Sequence, residues 1–442
     1  MKLWGAALAV VFSLVPACSG KEAFLPPAGT TGPVIAFDYH PLTRDDISFL
    51  SRFSWIVLNR PVDADTVKAL KAEGAKLILY EWLPALYYCE NSRDVWAATV
   101  FANRQRWALD PADSDPDPMG SRYGCTDLFY DMAESELIQR RVEHVVEVLA
   151  SRRYDGLFLD WGGGWNDLVD RKYSFVTKEF ERRHPGASYD HHVNEFIRLL
   201  RERGLTIIVN GGFRSEGAKL NTHADMDIVE SMFTSDSCSD KHAIFVKDSG
   251  LQTVCETRLT EVEQAVEIAS RLPEKARAVN HRIRFLFLNY GLPVYRETGE
   301  RLETPAGEYP VTIEGPDRQA LFYGLACSYL GNASGFTSGQ DVSLDWVKDN
   351  IYVYRLGEPA GGIERLDEGL YVRRFSRGMV LVSSRNRRIR LTVPQEVAAL
   401  YDTYSGRTFD NVEGSVYAEL GEGDLPPEKE RPIGRIYVYR YR

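Results

Sequence analysis

Two carboxylates in this chain could perform acid–base chemistry. Asp160 ends the apolar segment YDGLFLD and precedes three glycines flanked by Trp161 and Trp165, while Glu230 lies in DMDIVESMF. Glycoside hydrolysis needs two carboxyl groups, one that protonates the leaving oxygen and one that attacks the anomeric carbon or activates water. We interpret Glu230 as the acid, because its apolar neighbours favour the protonated form, and Asp160 as the nucleophile or base. The reverse assignment is left open.

Other polar and aromatic residues near predicted strand ends could bind a sugar. Carboxylates and amides hydrogen-bond hydroxyl groups, and aromatic rings offer flat apolar faces. The alternatives are loop capping for the acids, a turn-forming Asn-Gly pair for Asn210, and plain packing for the aromatic residues. The candidate substrate-binding residues are Asp38, Tyr80, Glu81, Trp82, Asp131, Trp161, Trp165, Asn210, Asn289 and Tyr290.

Eight short apolar segments, most of them followed by a helical pattern, predict the elements that position these residues. Such alternation favours a parallel sheet, and eight strands favour closure into a (β/α)8 barrel over residues 34–343. The carboxyl ends of barrel strands converge on one face, where such enzymes hold their sites. The predicted strands are Val34–Asp38, Trp55–Asn59, Lys76–Tyr80, Gly156–Asp160, Thr206–Asn210, Asp227–Ser231, Phe285–Asn289 and a segment near Gly335–Ser338.

The pattern changes near residue 344. Short β-rich segments separated by turn residues replace the helical spacing, which predicts a C-terminal β-sandwich over residues 344–442. Seven arginines cluster between Arg373 and Arg390. The cluster is read either as the solvated face of a sheet or as a contact for an anionic polymer.

The first 18 residues resemble a lipoprotein signal peptide. A basic Lys2 precedes an apolar run, and Val15-Pro16-Ala17-Cys18 resembles a lipobox whose cysteine is acylated. The alternative is an ordinary signal peptide with a chance cysteine. We therefore expect a lipid anchor at Cys18, a linker over residues 19–33, and a place in the cell envelope. That place is expected to be the outer membrane, facing the periplasm or the surface, with the anchor as the sole membrane contact.

Five further cysteines are expected in an oxidising compartment. Cys89 and Cys125 fall in one long loop region and Cys238 and Cys255 in another, so we predict two disulfides, with Cys327 as a buried free thiol. No Cys/His spacing resembles a zinc site, and no metal is predicted. The net charge of −10 argues against a nucleic-acid partner.

The segments YDGLFLDWGGGW, VNGG and DIVESMF, in this order, resemble the polygalactosaminidase-like family of bacterial and fungal glycosidases and related glycosidase-like barrels. The resemblance covers about Val34–Gly339. It implies a (β/α)8 barrel with catalytic carboxylates at Asp160 and Glu230, no cofactor, and amino-sugar exopolysaccharides as substrates. The long loop after the third strand, the predicted disulfides and the C-terminal sandwich depart from that family and leave the substrate open.

The pattern of α-amylases does not fit. Their strand-four aspartate follows an arginine by two positions and their acid glutamate ends strand five, but Phe158 and Asn210 occupy those places here. We therefore expect a glycoside hydrolase that cleaves a bacterial exopolysaccharide, with an amino-sugar polymer as one candidate. The alternative is a non-catalytic glycan-binding lipoprotein on a degenerate barrel. A polysaccharide deacetylase is disfavoured because no convincing Asp/His ligand set is present.

Overall fold

A computed structural model describes residues 35–38, 42–72, 74–89, 93–109, 125–170, 173–246, 250–290, 294–304, 307–315, 317–338, 354–420 and 431–442. Parts of several strands are described by their backbone alone. Cys18, with the predicted signal peptide and linker, lies outside these ranges.

The described strands and helices alternate through the first three quarters of the chain, and strands alone follow. The strands are β1 (Ile35–Asp38), β2 (Trp55–Leu58), β3 (Lys76–Trp82), β4 (Ala85–Tyr88), β5 (Thr126–Phe129), β6 (Gly156–Asp160), β7 (Thr206–Asn210), β8 (Met226–Glu230), β9 (Thr234–Val246), β10 (Gly250–Leu259), β11 (Arg284–Tyr290), β12 (Val294–Thr304), β13 (Gly307–Gly315), β14 (Ser334–Ser338), β15 (Pro359–Asp367), β16 (Leu370–Phe375), β17 (Gly378–Ser383), β18 (Arg387–Thr392), β19 (Val397–Asp402), β20 (Thr408–Asp410), β21 (Ser415–Leu420) and β22 (Ile433–Tyr441). The helices are α1 (Arg44–Leu50), α2 (Ala64–Lys71), α3 (Val95–Ala102), α4 (Arg104–Trp107), α5 (Ser135–Arg152), α6 (Trp165–Asp170), α7 (Ser174–Arg183), α8 (Tyr189–Glu202), α9 (Val262–Val279) and α10 (Arg318–Leu330).

Eight parallel strands form the barrel, in the order β1-β2-β3-β6-β7-β8-β11-β14. The first and last of them contact each other, so the sheet curves round on itself. The predicted (β/α)8 architecture is confirmed, and β6 and β7 have the predicted bounds. Strands β8 and β11 begin one residue earlier than predicted, at Met226 and Arg284.

The long segments expected to be loops contain further structure. The insert after β3 carries α3, α4 and the antiparallel pair β4–β5, and a disulfide joins Cys89 to Cys125 as predicted. Strands β9, β10, β12 and β13 form a four-stranded sheet. Cys238 and Cys255 lie on the paired strands β9 and β10, but their side chains are outside the described part, so their disulfide stays a prediction.

The C-terminal region is a β-sandwich, as predicted. A six-stranded sheet, β15-β16-β17-β22-β19-β20, packs against the two-stranded sheet β18–β21. Both sheets are antiparallel, and alternate residues of each strand fill the core between them. The proposed domain boundary at residue 344 falls outside the described ranges and stays a prediction.

Helix α10 joins the two regions. It was predicted over Arg318–Tyr329, and every residue from Ala320 to Leu330 is buried. A helix that is apolar on all sides must be covered on all sides. The barrel covers one side and β22 the other, where a Cβ at Gly434 would lie 2.4 Å from the Phe322 carbonyl oxygen. Cys327 on this helix is a buried free thiol, as predicted.

No described helix is long and apolar enough to cross a membrane.

Candidate active site

Four side chains from four neighbouring barrel strands meet at the carboxyl end of the sheet. Tyr80 Oη donates to Asp160 Oδ2 at 2.7 Å. Asn210 Nδ2 donates both to Asp160 Oδ1 at 2.7 Å and to Glu230 Oε1 at 2.9 Å. The two carboxylates selected from the sequence are therefore neighbours, joined by one amide.

The amide bridge limits the distance between the two carboxyl groups. Because Asp160 Oδ1 and Glu230 Oε1 lie 2.7 and 2.9 Å from the same nitrogen, these oxygens are at most 5.6 Å apart. Retaining glycosidases place their carboxyl groups about 5–5.5 Å apart, whereas inverting enzymes need about 6.5–9.5 Å to admit a water molecule. The separation here falls on the retaining side.

Asp160 accepts hydrogen bonds at both carboxyl oxygens. Besides the Tyr80 hydroxyl and the Asn210 amide, the backbone N–H of Trp161 donates to Oδ1 at 2.9 Å. Burial and the nearby charge of Asp160 raise the pKa of Tyr80 well above its usual value, so its hydroxyl keeps its proton and remains a donor. Three donors therefore fix the orientation of the Asp160 carboxyl group.

The backbone turns in the same way after each of three site residues. Trp161, Gly211 and Ser231, which directly follow Asp160, Asn210 and Glu230, have φ of 62°, 81° and 56°. Left-handed backbone is uncommon for residues other than glycine, and such strain of about 1–3 kcal/mol is typical of functional sites. At Trp161 the turn directs the N–H back to Asp160. The sequence carries a signal for this turn at Gly211 alone.

The three glycines after Trp161 are explained by close contacts. A Cβ at Gly162 would lie 2.8 Å from the Asn210 carbonyl oxygen, and one at Gly163 would lie 2.6 Å from the Asp167 carboxylate. Gly164 has φ of 59° and leaves no room beside Asp190. The loop therefore packs directly on the end of β7, and a side chain at any of the three positions would displace it from Asn210.

Three buried carboxylates hold the loops around the site, and the sequence analysis missed all three. Asp167 accepts the N–H of Gly163, and Asp190 accepts those of Trp165 and Glu216. Asp227 accepts the N–H groups of Gly212 and Phe213 and the Asn221 amide, each at 2.8 Å. A buried carboxylate with several backbone donors fixes loop geometry. The only sequence signal for Asp167 and Asp227 was an acidic residue beside glycines or within an apolar strand, and Asp190 carried no such signal.

The predicted substrate-binding roles of Glu81 and Asn289 are wrong, because the structure places both side chains on the outer face of the sheet. Trp82 is in register with Asp160 and Glu230 with Leu288, so Glu81 and Asn289, one position away, face outward. Glu81 pairs with the fully buried Arg141. Asn289 is fully buried, and its carboxamide would lie within 3 Å of a Cβ at Gly324 on α10.

The tryptophans expected to stack on sugars mostly pack within the protein. Trp82 and Trp161 are only 8% and 5% exposed, and their rings meet edge to face with centroids 5.3 Å apart. Trp165 is partly buried and contacts Phe180 and Tyr189. Their surroundings therefore agree with the second interpretation given above, in which these aromatic residues pack within the protein.

Asp131 lies in a separate ion cluster. It is 1% exposed and contacts His184 Nε2 at 2.9 Å and Arg183 at 3.4 Å. Its carboxylate thus links the segment before α5 to the end of α7.

The side chains of Asp38 and Tyr290, at the ends of β1 and β11, are outside the described part of the chain. Among the described residues no group of three or more His, Cys, Asp or Glu could hold a metal ion.

The chain is similar in structure to several solved proteins. No protein-family model matches the chain, and no curated protein matches it. The glycoside hydrolase domain of PelA from Pseudomonas aeruginosa is 17% identical, with a TM-score of 0.43 over 70% of this chain and 95% of that one. An α-amylase from Lactobacillus plantarum is 9% identical, with a TM-score of 0.46 over 92% and 99%. Isomaltulose synthase from Klebsiella sp. LX3 is 10% identical, with a TM-score of 0.47 over 92% and 99%.

Asp227 makes stability depend on pH. Burial raises the pKa of Asp227 to about 7, although the N–H groups that donate to it act in the opposite direction. The folded state therefore binds this proton more tightly than the unfolded state, whose aspartate pKa is about 3.9, and the carboxyl group lowers stability as pH rises from about 4 to 7. Between pH 5 and 7, the free energy of unfolding of the native protein should fall relative to Asp227→Asn by on the order of 1–2 kcal/mol.

Urea unfolding of both proteins at pH 5, 6 and 7 measures this difference. All other titrating groups are shared, so they cancel in the comparison. A difference that stays constant with pH would show that Asp227 has the same charge in the folded and unfolded states.

Proposed function

We propose that this protein is a retaining glycoside hydrolase with Asp160 as nucleophile and Glu230 as general acid and base. The observation that carries the proposal is the pair of carboxylates held no more than 5.6 Å apart by Asn210 at the carboxyl end of the barrel. Barrel enzymes hold their sites at this end, and a two-carboxylate site suits glycoside hydrolysis.

The hydrogen bonds support this division of roles. Asp160 accepts from three donors, which hold its carboxyl group in one orientation, as a nucleophile requires. In the first step Glu230 donates its proton to the glycosidic oxygen, the bond to that oxygen breaks, and Asp160 forms an ester with the anomeric carbon. In the second step Glu230 takes a proton from water, and the water oxygen displaces Asp160.

Asn210 serves both carboxyl groups without adding charge. Its amide donates one hydrogen to each, so it fixes their separation while Glu230 gains and loses its proton. The Tyr80 hydroxyl holds the second oxygen of Asp160. These two contacts orient the nucleophile toward a sugar bound above the strand ends.

We propose a bacterial exopolysaccharide as the substrate, with amino-sugar polymers as the first candidates. The support for this class is the motif resemblance described above, with Asp160 and Glu230 at the matching positions. The net charge of −10 disfavours nucleic acid as a partner. No cofactor takes part in the proposed reaction.

Replacing either carboxylate should abolish hydrolysis without unfolding the protein. Asp160→Asn and Glu230→Gln are each expected to lower the release of reducing ends from a panel of exopolysaccharides and amino-sugar polymers by at least about 10³-fold. Glu216→Gln is the matched control, since that carboxylate is 70% exposed and bonds to Lys219 and Ser188 at the surface.

Unchanged release in either variant would remove that residue from the mechanism. If the native protein releases nothing from the panel yet binds a glycan, the non-catalytic glycan-binding lipoprotein becomes the supported function.

The carboxylate separation predicts the stereochemistry of the product. NMR of the first sugar released should show the anomeric configuration of the substrate. Azide should restore turnover to Asp160→Ala and give a glycosyl azide of inverted configuration, whereas with Glu230→Ala it should give the retained configuration. An inverted first product from the native protein would refute the covalent mechanism.

We also propose that the mature protein is a lipoprotein of the cell envelope, anchored in the outer membrane through Cys18. The support is the sequence Val15-Pro16-Ala17-Cys18 after a short apolar run. In a Gram-negative host, labelled fatty acid should enter the native protein and the Ser19→Ala control but not Cys18→Ala. Labelling of Cys18→Ala equal to that of the native protein would exclude acylation at Cys18.

A further inference from the structure

The outer face of the two-stranded sheet β18–β21 carries an unusual set of exposed residues. Strand β18 alternates buried Ile389 and Leu391 with exposed arginines, and β21 alternates buried Val416 and Ala418 with exposed residues. Across the pair, Arg390 is opposite Tyr417 and Arg388 is opposite Glu419. The inner face fills the sandwich core, so the outer face is free of that packing.

Tyr417 is the centre of this face. Its side chain is 52% exposed, and the guanidinium carbons of Arg388 and Arg390 each lie 5.9 Å from its ring centroid. Arg390 is also held in place, because its Nε and Nη2 donate to Ser415 Oγ at 3.0 and 2.9 Å. The face therefore presents an aromatic ring with a positive charge on two sides, one of them fixed in position.

Six of the seven arginines between Arg373 and Arg390 divide into two groups. Arg373, Arg374 and Arg387 bond to backbone carbonyls, and the last two also pair with carboxylates. Within the part of the chain that the structure describes, Arg385, Arg388 and Arg390 form no ion pair. These three line one groove of about 640 Å³. One groove thus holds three cations without an ion pair to a described residue, in a chain whose net charge is −10.

We propose that this groove and face, formed by Arg385, Arg388, Arg390 and Tyr417, bind an acidic polysaccharide through its uronate units. Guanidinium groups match carboxylates in geometry, and an exposed tyrosine ring can stack on the apolar face of a pyranose. Glu419 opposite Arg388 limits the face to ligands that place their carboxylates near Arg385 and Arg390.

The position of this face makes it a second binding site. The six-stranded sheet lies between β18–β21 and α10, and α10 in turn packs on the barrel. A polymer held there does not contact Asp160 or Glu230. The inference rests on the proposed function only in taking a polysaccharide as the polymer that this chain meets, and the charge and ring geometry support it separately.

Affinity electrophoresis of the full-length Asp160→Asn protein tests the proposal without hydrolysis of the ligand. Gels containing polygalacturonate or alginate should retard the protein, and gels containing neutral dextran should not. We expect Arg388→Gln with Arg390→Gln to weaken binding at least tenfold and Tyr417→Ala at least threefold. Arg271→Gln, which removes a 74% exposed arginine elsewhere, should have no effect.

Two further arms separate specific binding from ion exchange. Dextran sulfate should bind more weakly than the polyuronates at 0.15 M salt, where exposed charges are screened beyond about 8 Å. Equal binding of dextran sulfate, or no effect of Tyr417→Ala, would reduce the face to a general polyanion surface and overturn the proposal. So would unretarded migration in both polyuronates.

Failure here is distinguishable from failure of the proposed hydrolase. In the background with native Asp160, the double arginine variant should release reducing ends from short oligosaccharides at the native rate. A loss of that activity would show that the face acts on the barrel, and would also overturn the proposal of a separate binding site.

Discussion

The site depends on one uncharged hydrogen-bond donor placed between two carboxylates. At 5.6 Å and an effective dielectric constant of about 20, two full negative charges would repel each other by about 3 kcal/mol. The Asn210 amide offsets part of this repulsion by donating one hydrogen to each carboxyl group. An aspartate at the same position would add a third negative charge, and a lysine would fix both partners in the ionised state. A neutral donor holds both carboxyl groups while leaving one of them able to gain and lose its proton.

The loops around the site hold the Asn210 amide in position. Asn210 ends β7, and the glycine loop after β6 packs against its backbone. Gly211 turns the chain in the left-handed region, and its N–H bonds to the Ile228 carbonyl on β8. The chain then enters the segment whose N–H groups Asp227 accepts. Strain at the strand ends is thus supported by buried carboxylates just behind them, which is the usual relation between a functional site and its surroundings.

The sequence predicted the barrel and the two central carboxylates but not the side of the sheet on which each polar residue lies. Strand bounds followed from apolar segments, and Asp160, Asn210 and Glu230 stood at their ends. Side chains alternate with period two, so an error of one residue moves a candidate to the other face. Tyr80 faces the site and the adjacent Glu81 faces Arg141. Asn289 was misplaced for the same reason, since the strand end alone does not fix the register.

Other features were beyond sequence reasoning because they arise from contacts between distant segments. Asp190 lies on α8, yet it accepts N–H groups from the ends of two different loops. The motif around Trp161, beside the glycines, does not reveal its packing partners, but Tyr173, just before α7, and Trp82, at the end of β3, pack against its ring. Aromatic residues near a strand end therefore predict packing as readily as sugar binding.

The architecture bears on the two interpretations of the arginine cluster, a solvated sheet face and a contact for an anionic polymer. Because α10 is covered on both sides, the six-stranded sheet has one face committed to that helix and the other to β18–β21. Arginines whose strands face these layers, such as Arg373, are used to satisfy carbonyl groups. The outer face of β18–β21 has no further layer in the described chain, and it is where Arg388, Arg390 and the exposed Tyr417 meet. A solvated sheet face explains scattered charge, but it does not require an exposed aromatic ring between two cations that form no ion pair with any described residue.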